Sequence, residues 1–142
     1  MVDGSLCNCL YFTSSRLSRV LTRMAEEEFR ETELFPSQAL ALMLINENPG
    51  ISQSRLSREL DLKPSTTSRF VDKLEHRGFV ERKVEGKSPS LHPTEEGLEL
   101  TEKIVACWKN LFKRYSRILG EENGIKLTSA VHDAVIKLER DL

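Results

Sequence analysis

The sequence predicts a mainly α-helical fold that contains one small β-hairpin. First, apolar residues recur every three or four positions along most of the chain, as they do on one face of a helix. Second, helix-breaking residues separate these stretches at Pro36, Pro49-Gly50, Gly78 and Gly120. Third, Phe79 to Val84 partly alternates apolar and polar residues and is rich in strand-forming types, which indicates a β-strand.

The N-terminal part of the chain predicts two helices. The first is long and amphipathic, and its stripe runs from Leu6 to Met24. Pro36 opens the second, because proline is tolerated in the first turn of a helix. The stretch Ala39 to Ile45 is apolar almost all round, so we expect this helix to be buried, and Asn48-Pro49-Gly50 ends it.

Two further helices precede the hairpin. Ser52 is a good N-cap for a short helix that runs through Leu60. Pro64 opens another helix, which reaches Arg77 and is ended by Gly78.

The remaining elements are the hairpin and two long helices. The strand Phe79 to Val84 is followed by a turn at Glu85 to Pro89 and a return strand at Ser90 to His92. Thr94 caps a helix that continues to Leu119, and a last helix follows. The small central unit cannot bury the apolar stripes of the terminal helices, so a second copy of the chain is the simplest cover for them.

The segment from Ser52 to Pro93 matches a winged helix-turn-helix pattern, in which two helices meet at a tight connection and a hairpin follows. Hydroxyl side chains and Arg69 lie at the start of the second helix, where free N–H groups and the helix dipole attract phosphate. Arg69 could bind guanine or a phosphate, whereas Lys73 suits a phosphate. The predicted DNA-binding residues are Ser65, Thr66, Thr67, Ser68, Arg69, Lys73, Arg82, Lys83 and Lys87.

Composition limits the other classes of function. The net charge of the 142 residues is −1, but residues 52–87 have +3 and the rest −4, which is the local bias expected of a DNA-binding segment. No apolar run suggests a membrane span and no secretory signal is recognised, so we expect a cytoplasmic protein. The spacing of cysteines and histidines fits no metal site, and no cofactor or enzymatic constellation is recognised.

The string from Leu74 to Arg82, together with Thr94 to Gly97 and Leu34 to Leu42, resembles the MarR family of transcription regulators. The resemblance implies one domain over residues 1–142, with a winged-helix lobe at about 35–93 and dimerisation helices at 5–30 and 94–142. It also implies a homodimer, most simply a repressor, that binds a near-palindromic operator in double-stranded DNA through two successive major grooves. Where the family commonly has an Asp-x-Arg element at the wing tip, this chain offers Lys87.

Three alternatives remain for the signal that the protein senses. Residues Leu6 to Tyr11 resemble the organic-hydroperoxide-sensing branch of the family, which implies oxidation of Cys7 assisted by Tyr11. A spacing of four places these two residues on one helix face, and Cys107, expected at the dimer interface, is a candidate resolving thiol. A small aromatic ligand is the second alternative, and the third is no small-molecule signal. Candidate pocket residues are Tyr11, Arg16, Met43 and Trp108.

Two other classes of function compete with DNA binding. One is a helical interaction protein that never contacts DNA, and the other is a thiol-based enzyme. DNA binding is distinguished by a steep dependence of affinity on salt, because binding releases counterions from the phosphates.

Overall fold

The computed structural model describes residues 5–84 and 86–142. The chain divides into two compact units, Met1–Cys107 and Trp108–Leu142. Its helices are α1 (Leu10–Phe29), α2 (Pro36–Glu47), α3 (Gln53–Leu60), α4 (Pro64–His76), α5 (Glu95–Glu99), α6 (Thr101–Leu119) and α7 (Glu121–Glu139). Its strands are β1 (Ile51–Ser52), β2 (Val80–Lys83) and β3 (Ser90–Pro93). The predicted fold class, mainly helical with a small hairpin, is confirmed.

The three strands form an antiparallel sheet in the order β1-β3-β2. Leu91 in the central strand pairs with Ile51 on one side and with Arg82 on the other. The sheet therefore attaches the hairpin to the residues just before α3, and the wing begins as part of the first unit's core.

The first unit has a continuous apolar core, to which helices and sheet both contribute. Its fully buried large side chains are Phe29, Leu42, Ile45, Leu56, Val71, Leu74, Val80, Leu91 and Ile104. Burying a side chain of this size stabilises the fold by roughly 1.5–3 kcal/mol, so this core fixes α4 and the wing strands in place.

The second unit leaves much apolar surface uncovered in the single chain. Leu111 is buried, and Phe112 and Tyr115 form an edge-to-face pair with ring centroids 5.6 Å apart. Several large apolar side chains of α7 are exposed: Ile125, Leu127, Val131, Val135, Ile136 and Leu138. Among the described residues, no helix is both long enough and apolar enough to cross a membrane.

Local signals in the sequence determine where the central helices begin and end. The Oγ of Ser52 accepts a hydrogen bond from the Arg55 N–H at 3.1 Å and so caps α3. The Oγ1 of Thr94 likewise accepts from the Gly97 N–H at 3.1 Å and caps α5. Gly78 has φ +78°, the left-handed conformation that ends α4. These three predictions are confirmed.

Two helix boundaries differ from the predictions. Residues 7 and 8 form a turn and α1 begins at Leu10 with Cys9 as its N-cap, so Cys7 and Tyr11 do not lie on one continuous helix face. The helix expected after Thr94 is broken at Leu100. There the Leu100 N–H donates to the Gly97 carbonyl at 3.3 Å, and the amide nitrogen of Asn46 donates to the same carbonyl at 2.9 Å.

Candidate nucleic-acid interface

Helix α4 has one buried face and one exposed face. Thr67, Val71 and Leu74 are fully buried and fix the helix on the core. Arg69 and Lys73 follow one another at a spacing of four and are exposed, as is Ser65 one turn earlier. Residues four apart are neighbours on a helix surface, so these three side chains form one exposed stripe.

The N-terminus of α4 is free to attract an anion. Pro64 occupies its first turn, Lys63 is the N-cap without a side-chain hydrogen bond, and the first turn contains no acidic residue. The helix dipole places a partial positive charge here. The preceding connection is tight, because Asp61 adopts φ 52° and the Leu62 N–H donates to the Ser57 carbonyl at 3.0 Å.

Most of the predicted residues of α4 are accessible. Ser65 is exposed, and Thr66 and Ser68 are half-buried. Within residues 5–84 and 86–142, no hydrogen bond or ion pair engages the Arg69 guanidinium. The Lys73 ammonium lies 5.8 Å from the centroid of the Phe35 ring, a weak contact that leaves its charge exposed.

Two predicted contacts require correction. Thr67 is 0% exposed and its hydroxyl donates to the Lys63 carbonyl at 3.3 Å, so its side chain is unavailable to DNA. Arg82 is engaged within the protein, where its Nη1 lies 2.8 Å from the Asp72 carboxylate and 3.5 Å from that of Glu75. Arg82 therefore joins β2 to α4, a role that sequence spacing alone did not indicate.

The turn of the wing is fastened to the start of α3. The hydroxyls of Ser54 and Ser88 are 3.0 Å apart, and the Gln53 N–H donates to the Pro89 carbonyl at 2.8 Å. Lys83 and Lys87 are exposed on either side of this turn. The wing cations are thus held near the helix-turn-helix rather than on a freely extending loop.

A cleft of about 660 Å³ lies between α3, the helix-turn-helix connection and the wing turn. Its charged lining residues are Arg58, Lys63, Lys87 and Asp61. Lys87 is among the residues predicted from the sequence, whereas Arg58 and Lys63, which flank the connection on either side, are not. Arg58 and Lys63 lie next to a turn that the sequence predicts. A wing folded back onto this turn would bring Lys87 close to both residues, and this was the available signal.

The three cysteines have different environments. Cys7 and Cys9 are exposed, whereas Cys107 is buried. Burial raises the pKa of the Cys107 thiol, and the carboxylates of Glu31 and Glu28 raise it further. Cys107 is therefore a poor thiolate source and has little access to solvent.

The residues predicted to line a ligand pocket are spread over both units. Tyr11 is 82% exposed, and Arg16 is exposed with its guanidinium 5.9 Å from the Phe12 ring. Met43 and Trp108 are half-buried. The cleft beside the wing includes none of the four predicted residues. In the described part of the chain, no group of three or more His, Cys, Asp or Glu side chains is placed to hold a metal ion.

Comparisons with known proteins agree with this geometry. The sequence model of the MarR family matches residues 34–85. The HTH-type transcriptional regulator YybA of Bacillus subtilis (strain 168), itself uncharacterized, is 34% identical over 84 residues, which cover 57% of this chain and 56% of that protein. The match therefore spans little more than half of that relative's length.

Solved structures share the fold over nearly the whole chain. CouR, a transcriptional repressor of Rhodococcus jostii RHA1 solved on a 23-mer DNA duplex, has a TM-score of 0.82 at 24% identity, covering 95% of this chain and 98% of that one. A MarR family regulator from Listeria monocytogenes in complex with 26-mer DNA has a TM-score of 0.77 at 26% identity, covering 94% and 91%. The sequence of residues 34–85 is thus similar to the MarR family, and the chain shares the fold of these solved winged-helix structures over nearly its whole length.

Proposed function

We propose that this chain is a sequence-specific DNA-binding transcription regulator that acts as a homodimeric repressor. The observation that supports it best is the exposed stripe of α4, where Ser65, Arg69 and Lys73 follow a helix N-terminus without a side-chain cap. Such a surface can donate hydrogen bonds to phosphates and to base edges in a major groove. The winged-helix relatives from Rhodococcus jostii and Listeria monocytogenes were solved on DNA, which supports the same use here.

Fluorescence anisotropy tests DNA binding directly. The probes are a labelled duplex from upstream of the chain's own gene and a scrambled duplex of the same length. Arg69→Ala should weaken binding to the upstream duplex by about 1–3 kcal/mol, roughly 5- to 150-fold, if Arg69 binds a base. Arg55→Ala removes the same charge from α3, where Arg55 is paired with Glu59, and is the control.

The outcome also separates the competing classes of function. A DNA-binding regulator should lose affinity steeply as salt increases. A wild-type protein that binds neither duplex at low salt would instead favour a helical interaction protein or a thiol-based enzyme. Equal binding by Arg69→Ala and wild type would remove Arg69 from the contacts.

The homodimer is proposed from the uncovered apolar stripe of α7. Leu127, Val131, Val135 and Leu138 recur at helical spacing and are 41%, 46%, 45% and 58% exposed in the single chain. A second copy would cover this stripe, and residues 5–30 and 94–142 are the proposed dimerisation helices. Sedimentation velocity should show a dimer at micromolar concentration, and Val131→Glu with Val135→Glu should shift it towards monomer. Lys137→Glu on the same helix is the control.

Release of the DNA by a small ligand is the first candidate for regulation. CouR has also been solved with p-coumaroyl-CoA, which supports a response to an aromatic acid derivative in this fold. Tyr11, Arg16, Met43 and Trp108 are the residues we propose for such a pocket. Anisotropy of the preformed DNA complex, titrated with aromatic acids, tests this response.

Oxidation of an N-terminal cysteine is the second candidate, favoured by the exposure of both Cys7 and Cys9. The thiolate would attack a hydroperoxide oxygen, which yields a sulfenic acid and releases an alcohol. Release of DNA by an organic hydroperoxide should then disappear in Cys7→Ser. If it disappears instead in Cys9→Ser, the N-cap thiol of α1 is the sensor, and if it persists in both variants, cysteine sensing by this segment is refuted.

A further inference from the structure

We propose that the cleft between α3, the helix-turn-helix connection and the wing turn binds phosphate groups of the DNA backbone through Arg58, Lys63 and Lys87. The proposal rests on the proposed function and adds a second contact region beside α4. It assigns two cations, Arg58 and Lys63, that lie outside the nine residues predicted from the sequence.

The charge of the cleft favours an anion. Three exposed cations line it against one carboxylate, that of Asp61. Within residues 5–84 and 86–142, no ion pair engages any of these three cations. Unpaired cations around one concave surface raise the local concentration of anions.

The polarity of the cleft argues against an apolar ligand. Small-molecule pockets are lined mainly by hydrophobic and aromatic side chains. Here the apolar lining residues are Leu62, Pro64 and Pro89, and no lining residue is aromatic. The other lining residues are polar or charged, and they include three serines, which suits a sugar–phosphate backbone better than an aromatic acid.

A buried hydroxyl in the wall lacks a partner. Ser57 is 6% exposed and lines the cleft, and its Oγ has no hydrogen-bond partner among the described residues. A helical serine commonly donates to the carbonyl four residues earlier, but this one does not. Since buried polar groups in proteins are nearly always hydrogen-bonded, an oxygen acceptor bound in the cleft would satisfy it.

The walls of the cleft are held before any ligand arrives. The Ser54–Ser88 and Gln53–Pro89 hydrogen bonds fix the wing turn against α3. Pro64 at the start of α4 forms part of the wall, so a phosphate bound here would lie next to the N-terminus of α4. Binding would therefore require little rearrangement.

The test measures how DNA affinity depends on salt. Arg58→Gln, Lys63→Gln and Lys87→Gln are compared with Arg55→Gln, a cation of α3 outside the cleft that is paired with Glu59. Each cleft variant should reduce the slope of log K against log salt by about 1, whereas the control should keep the wild-type slope. Backbone contacts do not read sequence, so the ratio of affinities for the upstream and scrambled duplexes should stay unchanged.

A second arm distinguishes DNA from a free anion. Thermal unfolding is compared in sodium phosphate and in sodium chloride of equal ionic strength. The cleft would be assigned to a free anion if phosphate raises the unfolding temperature of the wild type but not of Lys63→Gln, while every cleft variant keeps the wild-type salt slope. That result would overturn the DNA assignment. The anion site would be overturned altogether if the wild type binds DNA, the cleft variants keep its salt slope, and phosphate has no effect on thermal unfolding. Failure of the wild type to bind either duplex would overturn the proposed function and, with it, this proposal.

Discussion

Replacing Arg82 by alanine should destabilise the fold by detaching strand β2 from helix α4. The guanidinium of Arg82 lies 2.8 Å from the carboxylate of Asp72 and 3.5 Å from that of Glu75. It also donates to the side-chain oxygen of Gln53 at 3.2 Å and to the carbonyl of Ser68 at 3.4 Å. One residue of β2 thus contacts α3 and two turns of α4.

The expected cost follows from the exposure of the partners. The side chain of Arg82 is 18% exposed, but those of Asp72 and Glu75 are 59% and 44% exposed, so water can solvate both carboxylates once the arginine is gone. Each exposed ion pair contributes about 0.2–1 kcal/mol, and the two further hydrogen bonds contribute about 0.5–1 kcal/mol each at this accessibility. Arg82→Ala should therefore lower the free energy of unfolding by about 1–4 kcal/mol.

Urea unfolding at one fixed protein concentration measures the effect, because the stability of the proposed dimer would depend on concentration. With an m-value of about 2 kcal/mol per molar urea, the midpoint should fall by about 0.5–2 M at unchanged m. Arg82→Lys keeps the charge but loses the planar fork, so its midpoint should lie between those of wild type and Arg82→Ala. A double-mutant cycle with Asp72→Ala should give a coupling energy of about 0.5 kcal/mol or more.

Two results would refute this reasoning. One is a coupling energy of zero between Asp72 and Arg82, which would mean that the 2.8 Å contact contributes nothing to stability. The other is an Arg82→Ala variant with wild-type stability and reduced DNA affinity. That combination would return Arg82 to the role predicted from the sequence, a direct DNA contact.

Two further predictions concern close packing and thiol chemistry. Gly97→Ala should destabilise the protein by about 1–3 kcal/mol in the same urea assay, because the added Cβ would overlap the backbone carbonyl of Phe79. Cys107 should react with iodoacetamide more slowly than the two exposed cysteines at pH 8, because burial and nearby carboxylates raise the pKa of its thiol. Because the pKa of the Cys107 thiol is higher in the folded protein than in the unfolded chain, the thiol's contribution to stability depends on pH. The contribution is complete below the pKa of the unfolded chain and is lost as pH rises through the pKa of the folded protein. In Cys107→Ala, the free energy of unfolding should no longer show this decrease at alkaline pH. If it depends on pH just as in the wild type, burial of the thiol does not affect its ionisation.

Elements with strong local signals were predictable from the sequence. Ser52, Pro64 and Gly78 act through their own backbone and capping geometry, so they determine helix ends without help from the rest of the fold. The same holds for Thr94 at the start of α5. The helix-turn-helix was therefore recognisable residue by residue.

Features that depend on tertiary contacts were not predictable in this way. β1 has two residues, too few for any alternating pattern, and exists because Ile51 pairs with Leu91. The break at Leu100 lies beside a hydrogen bond from Asn46, a residue distant in sequence. The accessibility of Thr67 and the partners of Arg82 likewise become known only when α4 is placed against its neighbours.

The position of Lys87 changes what the wing is expected to do. In the family that the sequence resembles, a wing-tip arginine enters the minor groove of the DNA. The width of this groove depends on sequence, so the arginine can contribute to specificity there. Here the wing turn is fastened to α3 through Ser54 and Ser88, and Lys87 lines the cleft with Arg58 and Lys63. A lysine is a compact, strongly hydrated charge that suits a phosphate better than a narrow groove.

We therefore expect discrimination between DNA sequences to reside mainly in α4, with Arg69 as the principal residue, and the wing to contribute affinity without discrimination. The Lys87→Arg substitution separates the two views, because it restores the planar guanidinium at the wing. If the wing contacts only phosphates, Lys87→Arg should shift the affinities for A·T-rich and G·C-rich flanking sequences equally. A selective gain on A·T-rich flanks, whose minor groove is narrow, would show that the wing reaches the groove in this protein too.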